Sequence, residues 1–554
     1  MTAAQTDPAG APADLTRADT RADCDDPVVA GAVQAFGGPA GWHARTGEPR
    51  LMTPLRVLVL LTLLTCAVGW ASKAGCRDGS NWQHEYQYTR GCYTDVVALY
   101  SSEGLESGQR PYYDQPVEYP VVIGAVMGVT SELTRSFATL LPDTATQRAR
   151  DRIAAARTPE ELSAARAARD GALSDARGRH FYDLTWLLLT ACALVVVVTT
   201  ARLAGSRTWD AALVALAPAL ALHSTTNWDL VAMALAGLGL LAWARKRPVA
   251  AGMLLGLATA TKLYPVLFLL PLLMLCVRAR RLLPWAVVAA ALVGTVVVVT
   301  LPGYLTSPSY VERQGAQVRV LDSPLARLQA GRGLSALRPH QTLPHALGAP
   351  PEVAVNAVYR FVELNTVRGA DWDSLWLQAQ RAGLNQDAGL DPGQPPSDLN
   401  RGVAVCFGLA LVLIALLVLR AARRPRLPQV LLLTMVAFLL TNKVDSPQYV
   451  LWLLPLAALA RPRWRPFLLW QAAEALVLLS RFAFFIGNDK PGEGVGISWF
   501  FAAVLLRDAL LLVVCAFVVR DVLRPEHDVV RAGGVDDPAG GVLDGAPDRV
   551  SRGA

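Results

Sequence analysis

The sequence has little charge: 18% of its 554 residues are Asp, Glu, Lys or Arg, whereas 53% are hydrophobic. Soluble globular domains carry more charge than this. Apolar runs of about 17–25 residues, the length that crosses a bilayer, recur from residue 54 to residue 520. The composition therefore predicts an all-α polytopic membrane protein, because lipid offers no partner to the backbone groups of an irregular segment.

Several motifs are also absent. Residues 1–50 lack the early apolar segment of a cleaved signal peptide, so we expect the first span to insert the chain. We find no glycine-rich phosphate loop, no Gly-x-Ser-x-Gly elbow and no Cys/His spacing for zinc, and we expect neither a metal nor another cofactor. No internal repeat occurs, which argues against a transporter built from inverted halves. The net charge of +7 gives no reason to expect nucleic acid as a partner.

Lys and Arg are distributed unevenly among the short loops. The loops at 245–247, 278–281, 420–426 and 461–465 are basic, and they alternate with loops that have almost no Lys or Arg. The positive-inside rule places the basic loops and both termini in the cytoplasm. About twelve spans follow, near 54–72, 181–203, 209–224, 228–245, 248–264, 266–278, 283–301, 402–420, 429–442, 447–460, 465–485 and 498–519.

These spans divide the chain. The predicted parts are a disordered tail (1–53), a transmembrane module (54–301) that includes an extracytoplasmic loop (73–180), a large extracytoplasmic loop (302–401), C-terminal spanning helices (402–520) and a second disordered tail (521–554). Residues 120–141 are long enough to span, but a span there would break the parity set by the basic loops. We interpret them as a helix in the outer interface, with a spanning helix as the alternative. Residues 144–179 are Ala/Arg/Glu-rich and predict a solvated helical hairpin arm.

The loop after the first span concentrates acidic and tyrosine residues. Its residues of interest are Asp95, Glu118, Tyr112 and Tyr113. Acidic groups near lipid are costly and tend to mark a site. The same loop contains Cys76 and Cys92 in a compartment that allows oxidation, and we predict a disulfide between them.

Seven stretches, in this order and spacing, carry a family resemblance over most of residues 54–520. They are Tyr93-Thr94-Asp95, Pro111-Tyr112-Tyr113, Glu118-Tyr119-Pro120, Asn227-Trp228-Asp229, Thr261-Lys262-Leu263-Tyr264-Pro265, Arg368-Gly369-Ala370-Asp371-Trp372-Asp373-Ser374, and Ser446-Pro447-Gln448-Tyr449 with Trp452. The chain resembles the membrane glycosyltransferases of the GT-C class, and within it glycosyltransferase family 87, the actinobacterial polyprenol-phosphate-mannose-dependent α-mannosyltransferases. The charged insertion 142–180 and the single Pro120 depart from the family pattern.

The resemblance implies a GT-C fold in a bacterial cell membrane. It implies an inverting transfer of a hexose from a polyprenyl-phosphate donor to a glycolipid or cell-envelope glycan on the extracytoplasmic face. Asp95 matches the family's first-loop aspartate and would be the general base, with Glu118 as a second acid or positioning group. The leaving phosphate needs cations, for which Lys262 is the first candidate. The other implied substrate-binding residues are Tyr264, Asn227, Asp229, Arg368, Asp371, Lys443, Gln448, Tyr112 and Tyr113.

Ordinary structural interpretations stand beside these roles. Asp95 and Asn227 would simply cap helices, and Lys262 would extend from a span towards the interface. Of the rival functions, a secondary transporter calls for charge at mid-membrane, and the predicted spans look almost free of it. A non-catalytic envelope-assembly protein and a transferase for arabinofuranose or another sugar are the remaining alternatives.

Overall fold

The computed structural model describes residues 26–35, 53–77, 86–140, 143–313, 316–343, 352–384, 396–490 and 492–546. The first helices are α1 (Pro27–Ala35), α2 (Pro54–Lys73), α3 (Tyr86–Thr89), α4 (Asp95–Ser102), α5 (Val121–Leu140), α6 (Thr144–Ala155), α7 (Pro159–Leu203), α8 (Ala212–Ala215), α9 (Pro218–His223), α10 (Asp229–Ala244), α11 (Pro248–Thr261), α12 (Leu269–Arg278) and α13 (Leu282–Thr306). They are followed by β1 (Ser309–Arg313), β2 (Ala316–Leu321), α14 (Pro324–Gln329), β3 (His340–Thr342), β4 (Val353–Asn356), α15 (Arg360–Val367), α16 (Leu375–Arg381), α17 (Ser397–Arg420), α18 (Leu427–Thr441), α19 (Val450–Ala460), α20 (Trp464–Asp489) and α21 (Ile497–Leu523).

The prediction of an all-α polytopic membrane protein is confirmed. Among the described residues, seven helices are long and apolar enough to cross a membrane, and five apolar helical stretches of 10–17 residues accompany them. The short helices α18 and α19 are almost entirely buried, whereas the long helices α13 and α17 bury few of their side chains. The short helices therefore form the interior of the bundle, and long apolar helices form much of its periphery.

Small residues allow the interior helices to pack closely. Gly252 and Gly256 lie one turn apart on α11 and face the backbone of α13. A Cβ atom at Gly256 would lie 2.7 Å from Leu292 O, which is too close for any side chain. Close backbone approach over small residues is a usual basis of helix association in membranes. This contact fixes α11, which carries Lys262 immediately after its last residue.

Helix α7 joins two predicted parts of the chain in one helix of 45 residues. Its capping box is complete: Thr158 Oγ1 accepts a hydrogen bond from Glu161 N, and the Glu161 carboxylate accepts one from Thr158 N. The polar first half of α7 pairs with α6 as the hairpin arm predicted for 144–179. The second half is apolar and enters the bundle.

The predicted span 209–224 is not one regular helix. It consists of a 3-10 turn (Thr208–Ala211), α8 and α9, with the break at Pro218. Proline lacks the N–H that would continue α8, so the chain turns and restarts. The polar segment 224–227 that follows α9 is buried, and its carbonyl groups accept hydrogen bonds from Thr94 and Asp95 of the acidic loop.

Helix α5 has both ends at the same end of the bundle. Val121, its first residue, lies near Gly303, which is close to the C-terminus of α13. Asp143, just beyond its last residue, pairs with Arg179, which precedes the apolar half of α7. This placement favours the interfacial interpretation of 120–141, although α5 also has the length and composition of a span.

Residues 302–401 contain a small antiparallel sheet with the strand order β2-β1-β4-β3. The sequence does not reveal these strands, which have only three to six residues and too little alternation of polar and apolar residues. Tyr310 on β1 donates a hydrogen bond to Tyr113 O at 2.8 Å, and the Tyr113 hydroxyl bonds Thr306 Oγ1 at 3.0 Å. The sheet is thus attached to the acidic loop.

The C-terminal tail differs from the disorder predicted for 521–554, because residues up to 546 pack on the basic loops. Asp528 accepts hydrogen bonds from Arg426 Nε and Nη2 at 2.7 and 3.0 Å, and both side chains are at most 2% exposed. Asp537 accepts one from Leu427 N at 2.7 Å. The composition of the tail predicts exposure to solvent, but Asp528 pairs with Arg426, which lies about a hundred residues earlier in the chain.

Little of the predicted N-terminal tail 1–53 falls within the described residues. Its described part includes α1, and Asp26 just before that helix accepts a hydrogen bond from Trp464 N at 3.1 Å. The last predicted residues of the C-terminal tail, from 547 onward, also lie outside the described ranges.

Candidate functional site

A cavity of about 780 Å³ opens at the end of the bundle opposite to the basic loops. It is lined by nine of the predicted site residues: Asp95, Glu118, Asn227, Lys262, Tyr264, Arg368, Asp371, Lys443 and Gln448. These residues come from five segments that are distant in sequence. The sequence predicts only that they lie on the same side of the membrane, and the fold brings them into one cavity.

Asp95 is the first residue of α4, and three interactions fix its position. Thr94 caps the helix, and its hydroxyl donates to Thr225 O at 2.6 Å. The main-chain N–H of Asp95 donates to Thr226 O at 2.8 Å. The Tyr93 hydroxyl donates to Asp95 Oδ1 at 2.6 Å. The helix cap that the sequence offered as an ordinary role thus belongs to Thr94, and the Asp95 carboxylate faces the cavity.

The environment of Asp95 makes its carboxylate more basic than usual. Burial raises the pKa of Asp95 above its ordinary value, and the nearby Asp229 carboxylate acts in the same direction. The hydrogen bond from Tyr93 and the charges of Lys262 and Lys73 lower that pKa but do not outweigh the burial. A carboxylate with a raised pKa accepts a proton more readily, which suits a general base.

A disulfide joins Cys76 to Cys92, with 5.6 Å between their Cα atoms. It joins the end of the first spanning helix to the short segment between α3 and Asp95. The bridge predicted from the sequence therefore supports the residue that we consider the base, because Cys92 precedes Asp95 by three residues.

Lys262 lies in a setting built of aromatic rings and one carboxylate. It forms an ion pair with Asp229, whose Oδ1 also accepts a hydrogen bond from Trp452 Nε1 at 3.1 Å. Lys262 Nζ lies 5.0 Å from the ring centre of Tyr449, 5.4 Å from that of Trp452 and 5.8 Å from that of Tyr119. A lysine that simply extends into water would not be enclosed in this way, and its ammonium group is held at a fixed point of the cavity.

Asp229 and Asn227 differ in their access to the cavity. Asp229 is 1% exposed and lies behind Lys262. Asn227 Oδ1 accepts a hydrogen bond from Asp229 N at 3.0 Å in the turn that precedes α10. Asn227 still lines the cavity, whereas Asp229 acts on it through Lys262.

Arg368 and Lys443 have different roles on the next wall of the cavity. Lys443 Nζ donates to Arg368 O at 2.6 Å and to Thr366 O at 3.3 Å, at the C-terminus of α15, where a cation is favourable. Burial and the charge of Arg368 lower the pKa of Lys443 to about 8. Lys443 therefore clamps the backbone that presents Arg368, and the exposed Arg368 side chain faces the cavity. Asp371 continues this wall, since its N–H donates to Lys443 O at 2.8 Å.

Glu118 lines the mouth of the cavity and is exposed. Beneath it lies Glu103, which is 6% exposed. Burial, together with the charge of Glu118, raises the pKa of Glu103 to about 7. Glu103 is one of the acidic residues of this loop, and its burial cannot be predicted from the sequence because it depends on how the loop folds back on itself.

Two predicted substrate-binding residues, Tyr112 and Tyr113, do not line the cavity. Tyr112 is 4% exposed, and its hydroxyl donates to Tyr119 O and Pro120 O, each at 2.9 Å. It shapes the loop that carries Glu118. Tyr113 connects the loop to the sheet and to α13. Both tyrosines thus contact neighbouring segments of the protein rather than the space of the cavity.

The expectation that the spans are almost free of interior charge is wrong. Charged side chains lie inside the bundle on the last two long helices: Glu474 on α20 and Arg507 and Asp508 on α21 are buried, and Arg481 on α20 is half-buried. They meet two aspartates from the loops at the cavity. Arg481 Nη1 donates to Asp373 Oδ1 at 2.8 Å, and Arg507 Nη2 donates to Asp445 Oδ2 at 2.9 Å. The signal was present in the sequence, since Glu474 and Arg481 are seven residues apart, on one face of a helix.

Among the described residues, no three His, Cys, Asp or Glu side chains form an arrangement that could hold a metal ion.

Residues 180–447 match the family model described as glycosyltransferase family 87. No curated protein matches the chain. The matched range includes Lys262, Arg368 and Lys443, whereas Asp95 precedes it and Arg481 follows it. The cavity thus combines residues from within the matched range with residues on either side of it.

Proposed function

We propose that this chain, whose residues 180–447 match the model of glycosyltransferase family 87, is a membrane glycosyltransferase that transfers a hexose, assigned as mannose, from a polyprenyl-phosphate donor. The acceptor in this proposal is a glycolipid or a cell-envelope glycan on the extracytoplasmic side of the plasma membrane. The observation that supports it is the shared cavity of a basic carboxylate, Asp95, and two cations, Lys262 and Arg368.

In the proposed reaction the acceptor hydroxyl gives its proton to the Asp95 carboxylate as its oxygen attacks the anomeric carbon. The bond from that carbon to the phosphate oxygen breaks, and the phosphate leaves with the electron pair. The attack comes from the face opposite to the leaving group, so the configuration inverts. The Tyr93 hydroxyl keeps Asp95 oriented for this step.

The leaving phosphate gains negative charge, which fixed cations stabilise best in an enclosed site. Lys262 is held by Asp229 and by the surrounding rings, so its position needs little rearrangement during the reaction. Arg368 would add a planar guanidinium, a group suited to phosphate oxygens. Lys443 holds the main chain at Arg368 and is assigned a supporting role here.

The charged side chains inside the bundle on α20 and α21 weaken the argument against a secondary transporter, because transporters use charges of this kind. The family match is what favours the enzyme. Each of the two arginines in this cluster is paired with carboxylates of the cavity loops, so the cluster supports the walls of the proposed site.

The test is an assay of purified protein with radiolabelled polyprenyl-phosphate mannose and a membrane-lipid extract as the acceptor source. The expected result is a labelled lipid or glycan product that Asp95→Asn reduces by about 10²–10⁴-fold. Asp114→Asn is the matched control, because Asp114 lies in the same loop, pairs with exposed Arg110 and does not line the cavity. No product with several polyprenyl-phosphate sugars, or full activity of Asp95→Asn, contradicts the proposal.

A further inference from the structure

One wall of the cavity is a single face of α20, a helix that lies beyond the matched family range. Its lining residues are Leu478, Arg481, Phe482 and Phe485. They are spaced at i, i+3, i+4 and i+7, which places them in one stripe along a helix. The opposite side of the helix is different: Leu479 is 66% exposed on the periphery of the bundle.

The stripe continues onto the acidic loop through Tyr88 on α3. The Tyr88 ring centre lies 5.8 Å from that of Phe482 and 5.2 Å from that of Phe485. Tyr88 also stacks on Tyr93, with 6.5 Å between ring centres and 7° between ring planes. The Tyr93 hydroxyl binds Asp95, so Tyr93 connects this aromatic wall to the proposed base.

Arg481 gives the wall one polar group. Its Nη1 donates to Asp373 Oδ1, and its guanidinium lies 5.4 Å from the ring centre of Phe485. A guanidinium has five N–H donors, so a group fixed by one carboxylate still has the capacity to bind hydroxyl oxygens. A wall of aromatic rings with one oriented donor group is typical of sites that bind a ring-shaped, hydroxylated ligand.

We propose that this wall, Tyr88 with Leu478, Arg481, Phe482 and Phe485, is the acceptor subsite and binds a pyranose ring. The inference rests on the proposed function and extends it to the acceptor. The apolar face of the sugar packs on the rings of Tyr88 and Phe485, and its hydroxyls receive hydrogen bonds from Arg481. The acceptor hydroxyl then lies at Asp95, as proton removal requires.

The donor is assigned to the other side of the cavity, because the rings around Lys262 are a separate set. Tyr119, Tyr449 and Trp452 surround its ammonium group, and none of them belongs to the α20 wall. The two sets of rings would thus separate a phosphate-bearing donor from an uncharged sugar acceptor. Asp95 lies near both, since Lys262 affects its pKa and Tyr93 binds it.

The kinetic test uses octyl α-mannoside as the acceptor with saturating polyprenyl-phosphate mannose. Phe485→Ala and Tyr88→Ala should each raise the acceptor KM by roughly 3- to 10-fold, the loss expected for one aromatic contact. The donor KM should stay unchanged, and Phe485→Tyr should behave as the wild type. Leu479→Ala is the control on the same helix. A rise in the donor KM instead would assign the wall to the isoprenoid chain of the donor and overturn the proposal. An unchanged acceptor KM would also overturn it.

A binding test separates this proposal from the proposed function. Leu478→Cys is placed in a background that keeps the Cys76–Cys92 disulfide and replaces the other cysteines. Saturating octyl α-mannoside should slow the reaction of the cysteine in Leu478→Cys with a maleimide by about 5-fold or more. Methyl α-mannoside should have the same effect if the sugar alone is recognised. Protection by the octyl compound only would indicate a glycolipid acceptor. Absence of protection by either sugar overturns the subsite, whereas protection without transfer activity overturns only the assigned reaction.

Discussion

Arg507 Nη2, on the last long helix, lies 2.9 Å from Asp445 Oδ2, in a loop that lines the cavity. The same nitrogen donates to Asp373 O at 3.3 Å. One buried guanidinium therefore holds two of the loops that form the cavity, the one with Asp371 and the one with Lys443. Because Lys443 in turn binds the main chain of Arg368, the position of Arg368 depends on a residue sixty positions beyond the matched range.

The first prediction concerns this contact. Arg507→Ala should lower the free energy of unfolding by about 3–5 kcal/mol, because it leaves buried carboxylates without their partner. The measurement is thermal or denaturant unfolding in detergent, with Arg520→Ala on the exposed end of the same helix as control. Where the variant folds, donor affinity should fall as well. Unchanged stability and unchanged donor affinity would contradict the role assigned to Arg507.

The second prediction concerns the pH dependence of transfer. The pKa of Asp95 is raised by burial, and only its deprotonated form accepts the acceptor's proton. The acid limb of kcat/KM should therefore lie above the ordinary Asp range, with activity lost as the pH falls through the raised pKa. Tyr93→Phe removes a hydrogen bond that lowers this pKa, so the acid limb should move to higher pH. A limb that stays in place or moves to lower pH in Tyr93→Phe would exclude Asp95 as the titrating group.

The third prediction separates the two members of the Lys262–Asp229 pair. Lys262→Ala removes a cation from the donor side and should weaken donor binding by roughly 10- to 100-fold, as expected for the loss of a hydrogen bond to a charged group. Asp229→Asn leaves the ammonium uncompensated, so donor binding should be kept or strengthened while turnover falls through poorer positioning. Donor affinity is measured by titration of the purified variants, with Lys490→Ala, which lies outside the cavity, as control. Equal losses in both pair variants would indicate a purely structural pair.

The fourth prediction concerns the C-terminal tail. Asp528→Asn should leave Arg426 buried with a neutral partner and lower the free energy of unfolding by about 3 kcal/mol. Glu526→Gln is the matched control, because Glu526 is exposed two residues earlier. Unfolding followed by intrinsic fluorescence in detergent measures both. If the two variants were equally stable, the tail would not be docked through Arg426.

The fifth prediction concerns topology. Single cysteines at Ser102 and Ala154, both exposed, should react with an impermeant maleimide in intact cells, because α5 between them does not cross the membrane in our interpretation. Lys246→Cys in a basic loop should react only after permeabilisation. A protected Ala154→Cys beside a reactive Ser102→Cys would show that α5 spans the membrane.

The sequence by itself determined the class of this protein and the identity of several cavity residues. Low charge and recurrent apolar runs require a helical membrane protein, because the bilayer cannot satisfy free backbone groups. Lys262 stands at the end of an apolar stretch, and Asp95 and Arg368 stand in the two long loops predicted on the same side of the membrane. The pairing of Cys76 with Cys92 was also accessible, since both lie in one outer loop.

Only the tertiary structure decided which of these residues share a space and what each one does there. Asp229 and Lys443 look like ligands in the sequence, but their partners, Lys262 and the α15 carbonyl groups, assign them to support. Tyr112 turns its hydroxyl to the backbone of its own loop. Arg481 and Arg507 are visible in the sequence as charges within apolar runs, but only the structure shows that their partners are the carboxylates of Asp373 and Asp445. Contacts between segments decide such roles, since the low dielectric of the interior makes each charge depend on its partner.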